Sequence, residues 1–539
     1  MAEAGGLAAG DGARSVGRRR LFALGYVVIT FLAFPFEVDG RVLDFGWLLA
    51  WWPPALLLLA VRGLGAKRAA GLALALGVLA HGAVWHWIYV VTVHYGHAPA
   101  WVGVVAPLGL ALYPAAFVAA FAAAAERLSA RAPLGPVALA ALFTAFEHAR
   151  SFALTGFPWA TLGYAQHQNP WLLGLAPWAG VHALAFAAAL GGMCGVEWLL
   201  RREPGRGGRR ALLGLALLAA LHVAGALGRG PAVPGARSLR IAVLQGNIDQ
   251  GVKWSESWAD RTLTIYEELT REASRQGARL VVWPETALPG APDADPALEL
   301  RLAALARETG AALLVGAVGL RFGPAGELVG LYDSAFLYDA TGRRLERYDK
   351  SHLVPFGEYL PLRALFGRLI RAVATGAAGR DVSAGAGPRA LELADPEVGE
   401  PVVTLGVPIC YELLFPDLVR RFAGGGAQVL LAITNDAWYG RTGAPHQFLA
   451  ITALRSAENG MWTARAANTG VSALIDASGQ VRERTGIFEP GLLVGDVPLR
   501  DPDRSPTFYA RHGDWLPLGC WLATVALFVR DSRRRRAGA

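Results

Sequence analysis

Long apolar runs separated by short polar connections dominate the first 228 residues. Including one run near the C-terminus, eight approach or exceed the roughly 20 helical residues that cross a bilayer core of about 30 Å. We predict membrane-spanning helices at about 21–36, 45–61, 69–92, 100–125, 134–152, 172–200, 211–228 and 515–530. The pattern therefore predicts a membrane α-helical bundle.

In the polar segment 229–514, the apolar residues follow a different pattern from that of the first 228 residues. Short β-branched runs, such as those ending near Asn247 and Glu285, alternate with amphipathic helices, and the turn sequences DATGR and DASGQ predict added hairpins. This alternation is typical of a layered α/β domain with a mixed sheet. We expect a seven-helix transmembrane domain at 1–228, an α/β domain at 229–514, and a last transmembrane helix with a basic tail at 515–539.

Basic residues concentrate on alternate connections of the predicted bundle, while the short outside loops carry only Arg41 and, at a helix edge, Arg150. Since basic residues near helix ends are retained on the cytoplasmic side, we expect both termini inside and the α/β domain outside. The mean hydropathy of +0.34, with 53% hydrophobic and 17% charged residues, fits a membrane protein. The net charge of +8 mostly reflects topology, and no basic-aromatic patch indicates nucleic-acid binding.

Cys410 is the one cysteine of three in the predicted outside domain, because Cys194 and Cys520 lie in predicted membrane helices. A thiol without a disulfide partner in its own domain is exposed to oxidation in an oxidising compartment. This liability suggests that the thiol has a use. The alternative is a small buried core residue, a common environment for free cysteines.

The chain around Cys410 predicts how the thiol is presented. A buried strand-like run at Val402–Val407 is followed by a break at Pro408, and we predict a helix that opens through Glu412 into DLVRRF. The first free N–H groups of such a helix would favour a thiolate or an oxyanion nearby.

Three polar residues each end or follow a hydrophobic run: Glu285 in VVWPE, Lys350 in RYDK and Cys410 in GVPIC. Strand ends gather at one edge of an α/β sheet, so we expect these side chains to meet. A carboxylate that accepts the thiol proton would generate a nucleophile, and a lysine, helped by the N–H groups of Tyr411 and Glu412, would stabilise an oxyanion. The product would be a thioester, although such residues also occur together by chance.

The motifs WPE, YDKSHLVPFGEYLP and ICYE, in this order and spacing, resemble the nitrilase (carbon–nitrogen hydrolase) superfamily, whose Glu-Lys-Cys triad sits in an αββα sandwich. The predicted spans, QGNI, VKW, TGFPW and NDAWYG narrow the resemblance to the apolipoprotein N-acyltransferase family, over nearly the whole chain. It implies that Glu285 is the general base, Lys350 the oxyanion-stabilising residue and Cys410 the nucleophile. Further positions that match the family's active site are Trp254, Glu358, Tyr411 and Glu412.

One motif departs from the family. PHQFL has Phe448 where a histidine usually stands, which weakens any role for His446.

The resemblance implies transfer of an acyl chain from a phospholipid, through a thioester on Cys410, to the α-amino group of diacylglyceryl-cysteine on lipoproteins, the last step of their maturation. It implies no metal or organic cofactor. It also implies a monomeric, multi-pass enzyme of the bacterial inner membrane with a periplasmic catalytic domain, acting on a phospholipid donor and a diacylated apolipoprotein acceptor. Two alternatives are a membrane-tethered amidase or nitrilase that transfers the acyl group to water, and a non-enzymatic polytopic scaffold or transporter.

Other features of the chain lead to weaker expectations. The basic amphipathic segment 361–377 is either a membrane-surface arm or lid, or an ordinary core-facing helix. The polar residues Glu147, His148 and Arg150 in an apolar run either have a function or pair with one another. No metal site is expected at four histidines of the first domain, because no carboxylate or cysteine joins them. These are His81, His86, His94 and His97.

Overall fold

The computed structural model describes residues 3–130, 133–200, 206–228, 237–253, 255–361, 381–394 and 403–537. The chain divides into two compact units. The first comprises Met1–Ile88, Val104–Arg229 and Asp514–Ala539, and the second comprises Tyr89–Gly103 and Gly230–Gly513. The second unit therefore includes a short segment from within the predicted helical region.

The first unit is built from helices. Its longer helices are Glu3–Leu32, Pro53–Val61, Ala66–Val84, Ala100–Ser129 (from Val104 onward), Pro136–Ala149, Ala176–Leu200, Arg206–Gly228 and Trp515–Ala537. Its shorter elements are the helices Gly46–Leu49 and Pro170–Leu173, the 3-10 turns Ala153–Thr155 and Leu162–Gln166, and an antiparallel hairpin of β1, Phe36–Val38, and β2, Arg41–Leu43.

Among the described residues, four helices are long and apolar enough to cross a membrane. They are Ala66–Val84, Ala100–Ser129, Ala176–Trp198 and Gly208–Gly228, and the apolar helix Pro136–Ala149 is shorter. Four of the eight predicted spans are therefore found as helices of sufficient length and hydropathy.

Two predicted runs are interrupted. The run 45–61 contains two helices because Pro53 and Pro54 have no N–H to donate to a preceding turn and instead begin a new helix. The run 172–200 contains a kink at Gly180, whose φ of 67° no helix interior adopts.

A buried ion pair organises the loop after the helix Pro136–Ala149. Arg150 lies 3.5 Å from Oε1 of Glu147 and donates to the backbone oxygen of Trp159 at 2.9 Å. The N–H of Leu162 donates to the same Glu147 oxygen at 2.8 Å. The two polar side chains therefore pair with each other and with the later part of this loop, where Trp159 and Leu162 are buried.

The second unit contains two six-stranded sheets. Its strands are β3 Ser238–Gln245, β4 Leu280–Val282, β5 Ala312–Phe322, β6 Leu328–Tyr338, β7 Arg344–Asp349, β8 Leu391–Leu393, β9 Val403–Gly406, β10 Val429–Thr434, β11 Thr463–Ala467, β12 Ala473–Ile475, β13 Val481–Arg484 and β14 Gly491–Pro498. One sheet has the order β14-β3-β4-β5-β6-β7 and the other β13-β12-β11-β10-β9-β8. Strands β3, β4 and β5 are mutually parallel, as are β9, β10 and β11.

Helices cover the two sheets. On one face of β3, Ala242 and Leu244 pack in a core with residues of the helices Glu256–Arg275 and Pro296–Thr309. On the opposite face, Ile241 and Val243 are fully buried as well. Burial of both faces explains why these strands are continuous apolar runs. The longer helices are Glu256–Arg275, Pro296–Thr309, Pro416–Gly424 and Ala444–Asn459. Since β3 also contacts β11 of the other sheet, the layers agree with the expected αββα sandwich.

Polar residues follow the parallel strands where these end. Asn247 follows β3, Glu285 follows β4, Cys410 follows β9, Asn435 follows β10 and Asn468 follows β11. The N–H of Asn247 donates to the backbone oxygen of Asn468 at 2.8 Å, which joins the ends of the two sheets. The carboxyl ends of the parallel strands therefore build one polar edge.

Candidate active site

Glu285, Lys350 and Cys410 are far apart in the chain but meet at this edge. Nζ of Lys350 lies 3.0 Å from Oε1 of Glu285, and a hydrogen bond joins Glu285 to the thiol of Cys410. The exposed fractions of Glu285, Lys350 and Cys410 are 7%, 1% and 8%. The three residues singled out in the sequence therefore form one buried cluster.

The backbone at Cys410 is in a left-handed conformation, with a φ of 46°. A residue with a side chain adopts this region at a cost of roughly 1–2 kcal/mol. The preceding residue, Ile409, forms a parallel bridge to Ile433, which fixes the approach to the turn. The surrounding sheet therefore holds the thiol in a strained turn.

The helix predicted to open at Glu412 begins later. Cys410–Leu414 is a 3-10 turn, and the α-helix Pro416–Gly424 starts at a proline, which favours the first helical position. The N–H of Glu412 donates to the backbone oxygen of Ile409 at 3.1 Å. That amide is engaged within the turn and is not the oxyanion donor that the sequence suggested.

The carboxylate of Glu412 connects the cysteine turn to the loop that carries Lys350. Its Oε2 accepts from the N–H of Ile409 at 2.9 Å, and its Oε1 accepts from Tyr348 Oη and from the N–H of Ser351, both at 2.7 Å. Burial raises the pKa of Glu412, while these hydrogen bonds oppose the rise. Glu412 therefore holds the turn that carries Cys410 and the loop that carries Lys350 relative to each other.

Tyr411 packs beside the same loop. Its ring stacks on His352 with 5.7 Å between centroids and meets Phe415 edge-on at 5.2 Å. Trp254, which the resemblance also assigns to the active site, lies outside the described residues, as does segment 362–380 with most of the predicted amphipathic helix.

Lys350 is surrounded by carboxylates. Besides Glu285, its Nζ lies 2.5 Å from Oε1 of Glu358 and 3.0 Å from Oδ2 of Asp333. The other oxygen of Glu358 accepts from the N–H of Val354 at 2.8 Å, which fixes the loop after β7. Glu358 therefore contacts Lys350 and the loop that follows it.

Asp333 is a site residue that sequence reasoning missed. It lies on β6, inside the apolar stretch LYDSAF, and is 7% exposed. A lone carboxylate within a buried strand is costly unless it is paired, so its position was a usable signal.

Lys253 was missed as well. It is 2% exposed, and its Nζ donates to Oγ1 of Thr286 at 2.7 Å and to the backbone oxygen of Glu285 at 3.4 Å. Thr286 has a φ of 46°, a second left-handed residue next to a reactive group. Lys253 therefore supports the strained turn that carries Glu285.

The backbone of Asn435 supplies a further contact to the carboxylate of Glu285. Its N–H donates to Oε2 of Glu285 at 2.7 Å. Its side chain donates to Gln250 at 2.8 Å and accepts from Asn468 at 3.1 Å. These contacts fix the Glu285 carboxylate from the side of the second sheet.

Mutual interaction sets the charges of the cluster. Burial alone would raise the pKa of Glu285, but the charge of Lys350 and hydrogen bonds from its neighbours lower it. Burial would lower the pKa of Lys350, yet the surrounding carboxylates, Glu285 first, raise it well above its ordinary value. Burial raises the pKa of Asp333, with the Lys350 charge opposing and the Glu285 charge adding. These interactions therefore favour the charged forms of Glu285 and Lys350 and the protonated form of Asp333.

The surroundings of Cys410 favour its neutral thiol. Burial, followed by the charge of Glu285, raises the pKa of Cys410 well above its ordinary value, and the charge of Lys350 only partly opposes this. A neutral thiol that is hydrogen-bonded to a carboxylate is the starting state for general base catalysis, in which the proton moves as sulfur attacks.

The carboxylates of Glu285, Asp333 and Glu358 offer oxygens within 4.8 Å of one another, a spacing that also suits a metal ion. Here Nζ of Lys350 contacts all three. The cluster therefore fits an ammonium group and does not fit a metal ion.

Phe448, the departure from the family motif, lies in the core behind this edge. It is fully buried, and the guanidinium of Arg465 lies 4.7 Å from its ring centroid. Arg465 also forms a fully buried ion pair of 2.7 Å with Asp436. Phe448 therefore contributes to packing around this pair.

Comparison with known proteins gives matches in both parts of the chain. Residues 240–504 match the carbon-nitrogen hydrolase family, and residues 27–194 match the apolipoprotein N-acyltransferase N-terminal domain. The chain is 34% identical over 492 residues to an apolipoprotein N-acyltransferase of Geobacter metallireducens, covering 90% of this chain and 91% of the relative. It is 35% identical over 506 residues to one of Azotobacter vinelandii, with the same coverage of 90% and 91%.

Among solved structures, an amidase from a Nesterenkonia species is 26% identical. The match covers 53% of this chain and 99% of the amidase, with a TM-score of 0.37.

Proposed function

Because this chain belongs to the apolipoprotein N-acyltransferase family, we propose that it transfers an acyl chain from a phospholipid, through a thioester on Cys410, to the N-terminal α-amino group of diacylglyceryl-cysteine on lipoproteins. The similarity to these relatives extends over 90% of the chain, at 34% and 35% identity, and supports the reaction. The observation that carries the mechanism is the buried contact of Glu285 with both Cys410 and Lys350.

In the first half-reaction, Sγ of Cys410 attacks the ester carbonyl of the phospholipid while the thiol proton passes to Glu285. The new S–C bond forms, the ester C–O bond breaks, and Glu285 returns the proton to the departing alkoxide. The products are a thioester and a lysophospholipid. The hydrogen bond between the thiol and the carboxylate supports this proton path.

In the second half-reaction, the α-amino group of the lipoprotein attacks the thioester carbonyl. An N–C bond forms and the S–C bond breaks, while Glu285 accepts a proton from the amine and returns one to the thiolate of Cys410. The acyl chain leaves as an amide. Exclusion of water from the buried cluster favours the amine over hydrolysis.

Lys350 is assigned a role that differs in detail from the sequence-based one. An ammonium group has three donors, and here they face Glu285, Asp333 and Glu358. We therefore assign Lys350 to stabilising the oxyanion by its charge and keeping Glu285 ionised, without a direct hydrogen bond in the conformation described.

The supporting residues are assigned by their contacts. Glu358 fixes the position of Lys350, and Glu412 and Tyr411 hold the cysteine turn against the loop after β7. The resemblance assigns Trp254 to substrate binding.

The proposal extends to domains and topology. Residues 1–228 supply seven spans, 229–514 form the periplasmic catalytic domain, and 515–539 supply the eighth span and a cytoplasmic tail of a monomeric protein in the bacterial inner membrane. The basic residues on alternate connections and the four long apolar helices support this arrangement.

Labelling with a membrane-impermeant maleimide tests the topology. Ala325 and Ser532 are both exposed, so Ala325→Cys and Ser532→Cys offer matched positions. We expect Ala325→Cys to react in cells whose outer membrane alone is permeabilised, and Ser532→Cys to react only after lysis. The reverse pattern would contradict the proposed orientation.

Intact-protein mass spectrometry tests the function. The purified protein is incubated with phospholipid, then with hydroxylamine or with a diacylated lipopeptide. We expect a hydroxylamine-sensitive acyl adduct on Cys410 that disappears as the lipopeptide becomes triacylated. An adduct lost equally fast to water would favour a tethered hydrolase, the alternative that the carbon-nitrogen hydrolase match favours. No adduct at all would favour the scaffold.

A further inference from the structure

A second cluster of ligand-type side chains lies in the first unit and includes no residue of the proposed mechanism. One potential ligand atom from each of His148, His182 and Asp514 lies within 4.8 Å of the other two. His148 Nε2 is 3.3 Å from Asp514 Oδ2, and the two imidazole centroids are 5.1 Å apart with perpendicular rings. His148 lies in the last turn of Pro136–Ala149, His182 follows the kink in Ala176–Leu200, and Asp514 immediately precedes Trp515–Ala537.

The cluster is buried. His148 is 7% exposed, His182 is 1% exposed, and the side chain of Asp514 is 22% exposed. Nδ1 of His148 is buried without a hydrogen-bond partner among the described residues. Nε2 of the same ring is the nitrogen that faces Asp514.

The donor set and its spacing suit a transition metal. Two imidazole nitrogens and a carboxylate oxygen are a common protein ligand set for Zn²⁺, with bonds of about 2.0–2.2 Å. In a tetrahedron with such bonds, neighbouring ligand atoms lie roughly 3.3 Å apart. The distance between Nε2 of His148 and Oδ2 of Asp514 has this value.

A comparison within the same unit shows what a simple histidine–aspartate pair looks like. His167 Nε2 lies 3.2 Å from Oδ2 of Asp44, almost the same separation. Among the described residues, no third ligand-type group joins this pair to form a cluster. The addition of His182 is therefore what distinguishes the cluster around Asp514.

We propose that His148, His182 and Asp514 bind one divalent transition-metal ion, with Zn²⁺ as the best fit. His148 and Asp514 are 366 positions apart in the chain. The ion joins the start of the last helix to the two other helices and stabilises the first unit. Three protein ligands leave a further coordination position for water or another group.

Co²⁺ titration is the primary test, because Co²⁺ substitutes for Zn²⁺ and absorbs visibly when bound by few ligands. The probe is added to the untagged full-length protein in detergent after chelator treatment. We expect one equivalent of Co²⁺ to produce a saturable absorption band, and Zn²⁺ to displace it. The absence of a saturable band, or several weak sites without one, would overturn the proposal.

Variants locate the site. His182→Ala and Asp514→Asn should each weaken Co²⁺ binding by about tenfold or more, the effect expected even for groups that only support a metal site. His167→Ala is the matched control and should bind like wild type. Equal binding by all four proteins would overturn the assignment.

Thermal unfolding of the wild-type protein gives a readout that does not depend on any variant folding. Saturating Zn²⁺ should raise the Tm of the chelator-treated protein by several degrees, because an ion that binds only the folded state stabilises it. An unchanged Tm would count against the site. His167→Ala should retain the shift.

Discussion

Both units bury an ion pair, but the two pairs are built differently. In the first unit, one cation, Arg150, faces one carboxylate, Glu147, and both also bond to the backbone at Trp159 and Leu162. In the second unit, Lys350 faces three carboxylates. The first pair is balanced and connects a helix to a loop, whereas the second has more carboxylates than cations.

The difference shows which buried charges indicate chemistry. Arg150 and Glu147 contact backbone groups and the hydroxyl of Thr161, and among the described residues neither of them contacts a thiol. The cluster around Lys350 raises the pKa of Asp333, lowers that of Glu285 and includes a thiol, and both Cys410 and Thr286 have left-handed backbones. We infer that charge imbalance beside a strained thiol, rather than burial of charge alone, distinguishes the proposed reactive cluster.

The largest expected effect comes from replacing the thiol or the carboxylate between which the proton moves. Cys410→Ser and Glu285→Gln should each reduce acyl-enzyme formation by more than about 10³-fold, because one removes the thiolate and the other the base. Mass spectrometry of the intact protein measures the adduct, and thermal unfolding checks that the variants fold. Wild-type adduct levels in either variant would remove the chemistry from this cluster.

Replacing the two cations tests the comparison directly. Lys350→Met should abolish acyl-enzyme formation and destabilise its unit by roughly 3–5 kcal/mol, since it leaves buried carboxylates without a cation. Arg150→Met should destabilise its own unit similarly, while the folded fraction still forms the adduct. The readout is adduct per folded protein, separated by size-exclusion chromatography. Loss of adduct per folded Arg150→Met protein would show that the balanced pair also serves the reaction.

A smaller, pH-dependent effect should come from Lys253. Burial, partly opposed by nearby negative groups, lowers the pKa of Lys253 to about 8. Its charge is thus present below that pH and lost above it, so the ammonium that supports the turn at Glu285 disappears as pH rises. We expect the rate of acyl-enzyme formation in wild type to fall by about tenfold through this range.

The first half-reaction is the right step to follow, because it contains no amine substrate that titrates nearby. Lys253→Met should form the acyl-enzyme slowly at all pH values, without the decrease in rate near pH 8. Lys253→Arg should restore part of the rate. If the rate of Lys253→Met still decreased near pH 8 as in wild type, another group would be responsible for the titration.

The smallest effects should come from the cysteines of the first unit. Cys194 and Cys520 are buried in one apolar cluster. Cys194→Ala and Cys520→Ala remove only a small volume and should change stability by about 1 kcal/mol, with normal adduct formation. Thermal unfolding and mass spectrometry measure both quantities, and a lost adduct in either variant would contradict a purely packing role.

The meeting of the three proposed catalytic residues could be predicted from the sequence for a physical reason. Glu285, Lys350 and Cys410 each interrupt an apolar run at its end, and strand ends meet at one sheet edge. Asp333 and Lys253 do not stand at such ends, since one lies within a strand and the other in a loop before a helix. Their roles depend on cross-strand and loop contacts that periodicity does not encode.

The helical part was predicted more coarsely. Hydropathy identifies apolar runs but not their interruptions, and Pro53 and Gly180 divide runs that composition alone treats as continuous. The cluster of His148, His182 and Asp514 was missed because its members come from three helices, and the histidines considered for metal binding in the sequence were others. The helix after Cys410 begins at Pro416, later than the sequence predicts, because a proline favours the first position of a helix.

The division of the first unit along the chain has a consequence for biosynthesis. Its final part, Asp514–Ala539, is translated only after the segment Gly230–Gly513. At about 5–20 residues per second, the ribosome spends roughly 15–60 s on that segment, during which the bundle lacks its last helix. A chain that stops before Asp514 would leave uncovered the face of the helix Pro136–Ala149 that packs on the last helix.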